Sequence, residues 1–562
     1  MRSIENETDV LIVGAGPVGL AMACELLRHG VRCRIIDQAA RPSQTSRAIG
    51  IHARTLEVFE NMGVIEKVLT EGTKAGGLTL YEGSSVILRL SLQHIRAKDS
   101  QYPFLLLLPQ GQTERILHER LIELGGTVER SQELLDVQQK DGIVTALVNV
   151  EGIKTGEREE IRARWLIGCD GAKSRVRKAL AIPFEGTTAE EEWLLADVDL
   201  NWNRTRETTH GWFTREGLFA VFPLPGGQWR LFAPASQQIP QASLEAFQHL
   251  LVQYTGDTKT VVSNPTWMSN FRINYRIVQS YSKGQIFLAG DAAHIHSPFG
   301  GQGMNIGIQD AYNLAWKLAL VLHGKAQESL LATYQEERMP IAKYIVQGSR
   351  DVTGGILVTR NPLLRWLRDH AMIPLLNLDS IQRMLAQQAS ELNMHYRRSS
   401  LSSTYAKNSL NVKKLLAWNS APHAGDRALP GACLNYPSCE QTSLFQALQG
   451  TASHLLLFAG PSPTDGEYAQ LAKLASRAET LLNGSLRSHI VIAGNEKPAQ
   501  LAWNGSILLD LYRILHATYG AHQQSLYFIR PDGYIGLRSQ PVNERQLLDY
   551  LSKIFIIRTV DN

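Results

Sequence analysis

The amino-acid sequence predicts an α/β protein with three parts: a domain built on a parallel sheet, a mostly antiparallel sheet inserted into it, and a second α/β module at the C-terminal end. Three observations lead to this prediction. Short apolar runs at 8–13, 165–169 and 286–289 are each followed directly by glycine or aspartate, as buried parallel strands often are. Residues 181–276 hold aromatic residues in short runs separated by glycine and proline, which is typical of an antiparallel sheet. From Gly425 onward, strand-like runs alternate with helical ones.

The composition is that of an ordinary globular protein, and it excludes several functional classes. With 44% hydrophobic residues, 20% charged residues and a net charge of +4, the chain has no basic excess that would favour nucleic acid. No apolar run approaches the roughly 20 residues of a membrane span, and the polar first residues do not resemble a secretory signal. The five cysteines form no Cys-x-x-Cys pair, which predicts a cytoplasmic protein with reduced thiols and no zinc site. We therefore expect no metal, no nucleic acid and no membrane partner.

The first strand-like run is followed by a dinucleotide-binding fingerprint. Residues 14–19 read Gly-Ala-Gly-Pro-Val-Gly, a helical pattern follows, and a second apolar run ends in Asp37. In this context Gly14 allows a tight turn, Gly16 lets the backbone approach a pyrophosphate, and Gly19 brings helix and strand together. Asp37 is placed to accept hydrogen bonds from a ribose, and no arginine stands beside it for a 2′-phosphate. The fingerprint therefore favours FAD or NAD over NADP.

A glycine-rich loop and a long helix follow the third strand-like run. Residues 297–303 hold Pro298 and three glycines, too many breakers for a regular element. From Met304 apolar residues recur at helical spacing, which predicts a helix from about Asn305 to Leu322. The unpaired N–H groups and the positive dipole end of this helix would stabilise an anion or an electron-rich ring.

The C-terminal part begins after a change in composition. Residues 397–416 are polar and serine-rich, which predicts a linker. Beyond it, the predicted order is strand, helix, strand, helix, strand, strand and helix, with the second helix at 506–517. This order is typical of a thioredoxin-like module, and because it lacks a cysteine pair we expect a structural rather than a redox role.

Three separated signatures carry a resemblance to a known family. They are Gly14-Ala-Gly-Pro-Val-Gly19, Gly168-Cys-Asp-Gly-Ala-Lys-Ser-Arg-Val-Arg177, and Leu288-Ala-Gly-Asp-Ala-Ala-His294 with Gly300-Gly-Gln-Gly-Met-Asn305. In this order they resemble the FAD-dependent aromatic hydroxylases, the single-component flavin monooxygenases, over about residues 8–395. The segments at 46–57 and Arg530-Pro-Asp-Gly-Tyr534 are similar to the phenol hydroxylase-like, polyketide hydroxylase-like and rifampicin monooxygenase-like branch, which carries a C-terminal thioredoxin-like domain.

The resemblance implies a domain layout. Residues 1–71, 104–180 and 277–396 would form a Rossmann-like FAD-binding domain, and residues 72–103 and 181–276 the inserted, mostly antiparallel β-sheet domain that binds substrate. Residues 397–416 would be a linker, and residues 417–562 the thioredoxin-like C-terminal domain.

The resemblance also implies which residues hold the cofactor. The implied set is Gly14, Gly16, Pro17, Val18, Gly19, Asp37, Gln38, Arg47, Gln110, Asp170, Asp291, Gly301, Gly303, Met304 and Asn305. The residues from Gly14 to Asp37 would hold the ADP half of FAD, and Asp291 the ribityl and pyrophosphate region. Gly303, Met304 and Asn305 would line the isoalloxazine ring. Pro298 would lie on the loop that passes the reactive face of the flavin.

The activity that the resemblance implies is oxygen transfer. Such an enzyme consumes NADPH or NADH and O₂ and hydroxylates an aromatic, phenolic or polyketide-type compound through a flavin C4a-hydroperoxide. A rifamycin- or tetracycline-type antibiotic is an alternative substrate. The sequence leaves open NADH against NADPH, and a monomer against a homodimer.

Other functions fit the motifs less well. A flavin halogenase would carry Trp-x-Trp-x-Ile-Pro, which the segments around Trp202 and Trp267 do not match. A FAD-binding interaction protein without turnover conflicts with the intact motifs at Asp170, Asp291 and Pro298.

The remaining expectations concern single side chains. His294 and His296 make a poor metal site without a third ligand, so we interpret them as packing and loop residues. A base that helps to deprotonate a phenol is not evident, and Tyr81, His210 and Arg215 are only candidates.

Overall fold

Two compact units make up the part of the chain that the computed structural model describes. The described residues are 7–43, 48–91, 99–150, 158–213, 217–298, 300–351, 366–367, 371, 373–406 and 412–557. The first unit draws on the stretches Met1–Arg96, Tyr102–Tyr312 and Arg338–Glu391, and the second on Ala97–Gln101, Asn313–Glu337 and Leu392–Asn562.

A mainly parallel sheet forms the centre of the first unit. Six of its strands follow in the order Ser282–Lys283, Ile286–Leu288, Arg158–Gly168, Glu7–Val13, Cys33–Ile36 and Val128–Glu129, and the antiparallel strands Ile143–Val150 and Gln132–Lys140 extend it from Arg158–Gly168. Val13 lies opposite both Gly168 and Ile36, and Gly168 lies opposite Leu288. The carboxyl ends of four strands therefore form one row. The motifs that follow those strands begin at the same sheet edge, where α/β proteins bind their ligands.

A second, mostly antiparallel sheet belongs to the same unit. Its order is His294–Ile295, Val262–Val278, Phe184–Leu200, Trp229–Pro234, Leu218–Pro223, Thr209–Phe213, Gly77–Glu82 and Ser85–Ser91. Thr209–Phe213 and Gly77–Glu82 pair in parallel, and the other pairs of this sheet are antiparallel. The edge strand His294–Ile295 leads directly into the glycine-rich loop, so this sheet ends beside that loop.

The two faces of the antiparallel sheet have different cores because successive side chains alternate across a strand. Leu194 and Ala196 point to the face that the helix Leu244–Thr255 covers. Trp193 and Leu195 point to the other face, which helix Leu244–Thr255 does not cover and which, like the first, carries aromatic rings. We call this second face the aromatic face; its rings are Trp193, Phe213, Phe222, Phe232, Trp267, Phe271 and Tyr275.

Helices and a small sheet complete the first unit. The three-stranded sheet has the order Gly50–Ile51, Leu105–Leu107 and Thr73–Ala75. The helices are Pro17–Arg28, Ala53–Met62, Ile65–Glu71, Gln110–Glu123, Arg175–Ala179, Leu244–Thr255, Ile373–Leu376 and Asp379–Ala389, with 3-10 turns at Pro225–Gly227 and Gly290–Ala292. The helices Gln302–Leu322 and Ala332–Asp351 each contain a boundary between the units.

The second unit has an eight-stranded mixed sheet. Its order is Ser403–Ala406, Ile535–Gln540, Ser525–Ile529, Ser453–Phe458, Leu486–Ile492, Ser506–Leu509, Ala432–Tyr436 and Glu440–Ser443. Its helices are Val412–Ser420, Leu444–Ala447, Asp465–Leu482, Ile514–Thr518 and Glu544–Ile554, with a 3-10 turn at Glu328–Leu331.

Two expectations for this part of the chain differ from the structure. Residues 397–416, expected to be a linker, include the strand Ser403–Ala406, which pairs in parallel with Ile535–Gln540. The helix predicted over 506–517 is wrong in its first half, because Ser506–Leu509 is a strand parallel to Leu486–Ile492. Its apolar side chains are buried in the sheet, and short apolar runs do not distinguish a buried strand from a helix.

Residues 313–337, expected in the FAD-binding domain, belong to the second unit because buried charges hold them there. Glu337 accepts from Arg530 Nη1 at 2.6 Å and from Lys317 Nζ at 2.8 Å, and Arg530 also pairs with Asp532. The side chains of these four residues are at most 1% exposed. Arg530 and Asp532 belong to the Arg-Pro-Asp-Gly-Tyr motif, so the motif's charges serve a buried network.

Candidate functional site

The first two signatures meet at Gly14. Gly14 has φ of 101°, and a Cβ there would lie 2.5 Å from Cys169 O and 2.8 Å from Asp170 Cα. A Cβ on Gly19 would lie 1.9 Å from Gly14 O. Neither position accepts a side chain, so glycine is required where the strand, the turn and the helix come together.

The third signature packs on the start of the first helix. Gly290 has φ of 59°, and a Cβ there would lie 2.8 Å from Val18 Cγ2. Gly307, one turn into the long helix, is as close, because its Cβ would lie 2.6 Å from the same atom. The structure thus brings all three signatures together at one edge of the parallel sheet.

An open space remains in front of Gly16. Among the described residues, a Cβ at Gly16 would meet no heavy atom within 4 Å, unlike one at Gly14 or Gly19. The helix Pro17–Arg28 has no side-chain cap at its N-terminus and no acidic residue in its first turn. Its positive end is therefore not neutralised from within, which suits a pyrophosphate.

Asp37 closes the fingerprint from the neighbouring strand. Its two oxygens accept from Ala15 N at 2.7 Å and Ala39 N at 2.8 Å, and its neighbour Gln38 is exposed. Arg130 Nη1 lies 3.8 Å from Asp37 Oδ2. No sequence pattern indicates Arg130, because only the pairing of Ile36 with Glu129 brings it to Asp37.

Gln110 lies at the start of the helix Gln110–Glu123. Its Nε2 donates to Glu114 Oε1 at 2.8 Å, and its Oε1 accepts from Ala48 N at 3.3 Å. Burial raises the pKa of Glu114, and the Coulombic influence of Asp37 raises it further. Gln110 is thus held next to the residue that follows Arg47, and Arg47 itself lies outside the described residues.

Asp170 uses its carboxylate within its own motif. It accepts from Ser174 Oγ at 2.6 Å, Arg175 N at 2.7 Å and Val176 N at 3.1 Å. Burial raises the pKa of Asp170, and these hydrogen bonds oppose the rise. The carboxylate organises the start of a short helix, and a contact between Asp170 and the cofactor stays a prediction.

Arg177 links the second signature to the third. Its Nη1 donates to Ala292 O at 2.9 Å, and its guanidinium lies 3.9 Å from the ring centroid of Phe184. The motif contained this arginine, but its partner is 115 residues away and no sequence pattern indicates it.

The long helix begins at Gln302, three residues before the predicted start. In the loop before it Pro298 and Gly300 are exposed, and so is Asp291 in the preceding turn. Met304 and Asn305 are buried, and Gly301 and Gly303 are half-buried. The first turn of the helix has no acidic residue, so its positive end also remains for a ligand.

His294 belongs to a buried ionic group. Its Nε2 lies 2.8 Å from Asp310 Oδ2, which also accepts from Gly290 N at 3.1 Å. Arg338 Nε donates to Asp310 Oδ1 at 2.6 Å. Burial disfavours the charge on Asp310, but Arg338 and His294 hold its pKa below the usual value. His294 therefore helps to anchor the Gly290 turn, as its packing interpretation predicts.

His296 lies against the start of the long helix. Its Nδ1 donates to Ser297 O at 2.9 Å, and its Nε2 has no hydrogen-bond partner among the described residues. A Cβ on Gly303 would lie 3.7 Å from that Nε2. Burial, and then the charge of His294, lower the pKa of His296 to about 4, so the ring is neutral.

Two of the candidate bases, Tyr81 and His210, do not lie on the aromatic face. Tyr81 OH and His210 Nδ1 lie 3.0 Å apart, and Tyr81 stacks on Trp212. Tyr81 and Trp212 belong to the core on the side that Leu244–Thr255 covers. Arg215 lies outside the described residues.

These residues fit FAD. A flavin dinucleotide, with its pyrophosphate and electron-rich ring, matches three features of this site. They are the space at Gly16, the glycines at which a side chain would clash with neighbouring backbone, and two helix starts free of acidic residues. Among the described residues, no group of three or more His, Cys, Asp or Glu side chains could hold a metal ion. In the same part of the chain, no helix is both long and apolar enough to cross a membrane.

Comparisons with known proteins identify the family of this chain. The family model for the FAD binding domain matches residues 7–349. The chain is 35% identical over 548 residues to 6-methylpretetramide 4-monooxygenase of Streptomyces rimosus, covering 94% of this chain and 90% of that protein. It is 32% identical over 539 residues to pentachlorophenol 4-monooxygenase of Sphingobium chlorophenolicum, covering 94% and 93%.

A solved structure gives the same result for the fold. The anhydrotetracycline hydroxylase OxyS from Streptomyces rimosus superposes with a TM-score of 0.74 at 28% identity, covering 98% of this chain and 99% of that one. The resemblance seen in the sequence is thereby confirmed. The chain belongs to the FAD-binding family of aromatic hydroxylases, and it is a flavin-dependent monooxygenase.

Proposed function

We propose that this monooxygenase hydroxylates an aromatic ring of a phenolic or polyketide-type compound that binds over the aromatic face. One observation carries the proposal. The edge strand His294–Ile295 of the antiparallel sheet continues into the loop at Pro298, which precedes the helix Gln302–Leu322. An apolar, aromatic surface thus adjoins the proposed seat of the flavin, and such a surface binds a flat ring system by stacking.

The relatives support this class of substrate. The names of two relatives specify pentachlorophenol and 6-methylpretetramide, and the name of the structural neighbour specifies anhydrotetracycline. An antibiotic of the tetracycline or rifamycin type remains the alternative substrate within the same chemistry.

We assign the cofactor contacts as follows. Gly14, Gly16 and Gly19 with Asp37 hold the ADP half of FAD, assisted by Pro17, Val18 and Gln38. Arg47, Gln110, Asp170 and Asp291 contact its middle, and Gly301, Gly303, Met304 and Asn305 line the ring. Pro298 lies on the loop at its reactive face.

The residues of this chain supply binding, orientation and dryness. When bound, FAD reduced by NADH or NADPH would supply the chemistry that activates O₂, with one oxygen atom passing to the substrate and the other leaving as water. The start of the helix Gln302–Leu322 offers fixed N–H donors for the negative charge that reduction leaves on the ring. The aromatic face orients the acceptor ring and excludes water, which protects the reactive oxygen from wasteful loss.

The assignment of a function to each domain is also a proposal. Residues 1–71, 104–180, 277–312 and 338–391 hold FAD, and residues 72–103 and 181–276 present the substrate. Residues 417–562 form a thioredoxin-like domain with a structural role, because the described residues contain no disulfide or cysteine pair there. We further propose a cytoplasmic monomer or homodimer.

Substrate-stimulated oxidation of the nicotinamide tests the proposal. The purified protein should be yellow from bound FAD, and NADH or NADPH oxidation should accelerate with a member of a panel of simple phenols, fused-ring polyketides, tetracyclines and rifamycins. Product mass should rise by one oxygen atom. Bound FAD without acceleration by any member of the panel would contradict the substrate assignment.

A further inference from the structure

The imidazole of His52 holds the glycine-rich loop. His52 Nε2 lies 2.7 Å from Gly300 O, and because a carbonyl oxygen only accepts, Nε2 carries the hydrogen. The loop itself is open, since Pro298 and Gly300 are exposed. Gly300 and Gly301 have φ of 93° and 66°, conformations that glycine reaches without strain but does not hold without partners.

The main chain of His52 is tied to the same loop through Asn305. His52 N donates to Asn305 Oδ1 at 3.0 Å, while Asn305 Nδ2 donates to Gly50 O at 2.9 Å and to Gly301 O at 2.7 Å. Asn305 is fully buried, so water does not compete for these bonds. The ring of His52 thus contacts Gly300 directly, and its backbone N–H is linked to Gly301 through the side chain of Asn305.

Glu391 is the acidic group that faces the ring. Its Oε1 lies 4.0 Å from His52 Nε2 and has no hydrogen-bond partner among the described residues, while Gln309 Nε2 donates to its Oε2 at 2.6 Å. Burial lowers the pKa of His52 to about 4 and raises that of Glu391 to about 8, although Arg338 and Arg54 oppose the second shift. Both groups are therefore neutral at pH 7, and the Nε2 hydrogen is left to Gly300.

We propose that His52 is a positioning residue of this monooxygenase, whose Nε2–H fixes the loop from Gly300 to Gly303 through the carbonyl of Gly300. The inference rests on the proposed seat of the flavin at the start of the helix Gln302–Leu322. Donors at that seat stabilise charge only when their direction is set beforehand. A loop with three glycines would otherwise lose that direction to backbone entropy.

Two substitutions separate a hydrogen bond from mere packing. His52→Phe keeps a ring of similar size in this buried place and removes the donor, whereas His52→Gln keeps an N–H donor on a shorter side chain. Wild type and the exposed-surface variant His249→Phe serve as controls. If His52→Phe yields no folded protein, His52→Leu replaces it.

The first measurement is amide hydrogen exchange over residues 300–305 in protein freed of FAD. We expect exchange about tenfold faster in His52→Phe, the change that loss of one hydrogen bond produces, and near-normal exchange in His52→Gln. The second measurement is the reduction potential of bound FAD, which should shift in His52→Phe and return in His52→Gln, with FAD still bound in all variants.

Two results would overturn the inference. One is exchange and potential in His52→Phe equal to wild type; the other is a His52→Gln variant as impaired as His52→Phe. A wild-type protein that binds no FAD would refute the proposed function instead, and the exchange comparison would still decide the role of His52.

Discussion

Gly290 packs so closely on Val18 that a methyl group on Gly290 would lie 2.8 Å from Val18 Cγ2. These residues are 272 positions apart, yet the contact sets the distance between the dinucleotide fingerprint and the turn that leads to the glycine-rich loop. Arg177 adds a second link, because its guanidinium donates to Ala292 O. The three signatures are thus held together by close packing of the Gly290 backbone on the Val18 side chain and by the Arg177 hydrogen bond.

Gly16→Ala should fold normally and lose FAD. No heavy atom of the described residues lies within 4 Å of the added methyl group, so this part of the chain leaves room for it. The methyl group would stand where the backbone must approach a pyrophosphate, and we expect FAD binding to weaken on the order of 100-fold, the effect of about 1 Å of misplacement in a fixed site. Fluorescence titration with FAD measures this.

Gly348→Ala is the matched control for that change. Gly348 lies in the helix Ala332–Asp351, and a Cβ there would also meet no atom of the described chain within 4 Å. It should bind FAD as wild type does. A Gly16→Ala protein that is folded and retains full FAD affinity would remove Gly16 from the cofactor site.

Glu391→Gln should stabilise the first unit above neutral pH. The pKa of Glu391 is about 8 in the folded protein against 4.5 for an ordinary glutamate, so the folded state binds the extra proton between these values. Wild-type stability is therefore highest below pH 4.5 with respect to this group, and it falls as pH rises towards 8, by a few kcal/mol on the scale of about 1.4 kcal/mol for each pKa unit.

Urea unfolding at pH 5 and pH 8 tests this. The midpoint of Glu391→Gln should exceed that of wild type at pH 8 by more than at pH 5. Glu160→Gln, an exposed position, serves as the control. Equal pH dependence in wild type and Glu391→Gln would show that Glu391 is ionised in the folded protein.

Glu337→Gln should destabilise the second unit severely. The change leaves Lys317 and Arg530 buried, with Asp532 as the remaining carboxylate of the cluster. In the wild type, the charges of Arg530 and Lys317 lower the pKa of Glu337 although burial alone would raise it. Breaking a buried ion pair from one side costs about 3–5 kcal/mol. Thermal unfolding followed at several wavelengths measures the loss.

Arg477→Gln provides the contrast in the same unit. Arg477 and Glu544 form an exposed pair at 2.7 Å, with the arginine side chain 53% exposed. Exposed pairs contribute about 0–1 kcal/mol, so this variant should unfold near the wild-type temperature. Equal effects of the two substitutions would contradict a structural role for the buried cluster.

The second unit should lose stability in acid through two buried histidines. His454 Nδ1 and His489 Nε2 lie 3.0 Å apart, and His489 Nδ1 lies 2.8 Å from Ser506 Oγ. Burial lowers the pKa of both, to about 4 for His489, and Arg487 adds to both shifts. The unfolded state binds protons below pH 6.5, so stability falls as pH drops from 6.5 towards 4, by about 2 kcal/mol at pH 5 for His489 alone.

His489→Gln should reduce this dependence because glutamine does not titrate. Denaturant midpoints at pH 7 and pH 5 measure it, with His522, which lies outside this pair, changed to Gln as the control. A variant with the full wild-type difference between the two pH values would place the acid sensitivity elsewhere.

The sequence alone determined the family and the FAD fingerprint, and it predicted the loop and helix that we propose as the seat of the flavin ring. Local backbone geometry explains why glycine stands at 14, 16 and 19 and why the glycines and proline at 297–303 interrupt regular structure. The periodicity of apolar residues identifies strands and helices. The same local reasoning failed at 506–517, where a short apolar run was ambiguous between strand and helix.

Only the tertiary structure decided which distant side chains act together. Arg130 reaches Asp37 through strand pairing, His52 reaches Gly300 across 248 residues, and Arg530 meets Glu337 across 193. Contacts of this kind depend on how sheets and helices are stacked, and residue spacing carries no information about them. The sequence therefore predicted the cofactor, and the fold determined which distant side chains contact one another around the signature motifs.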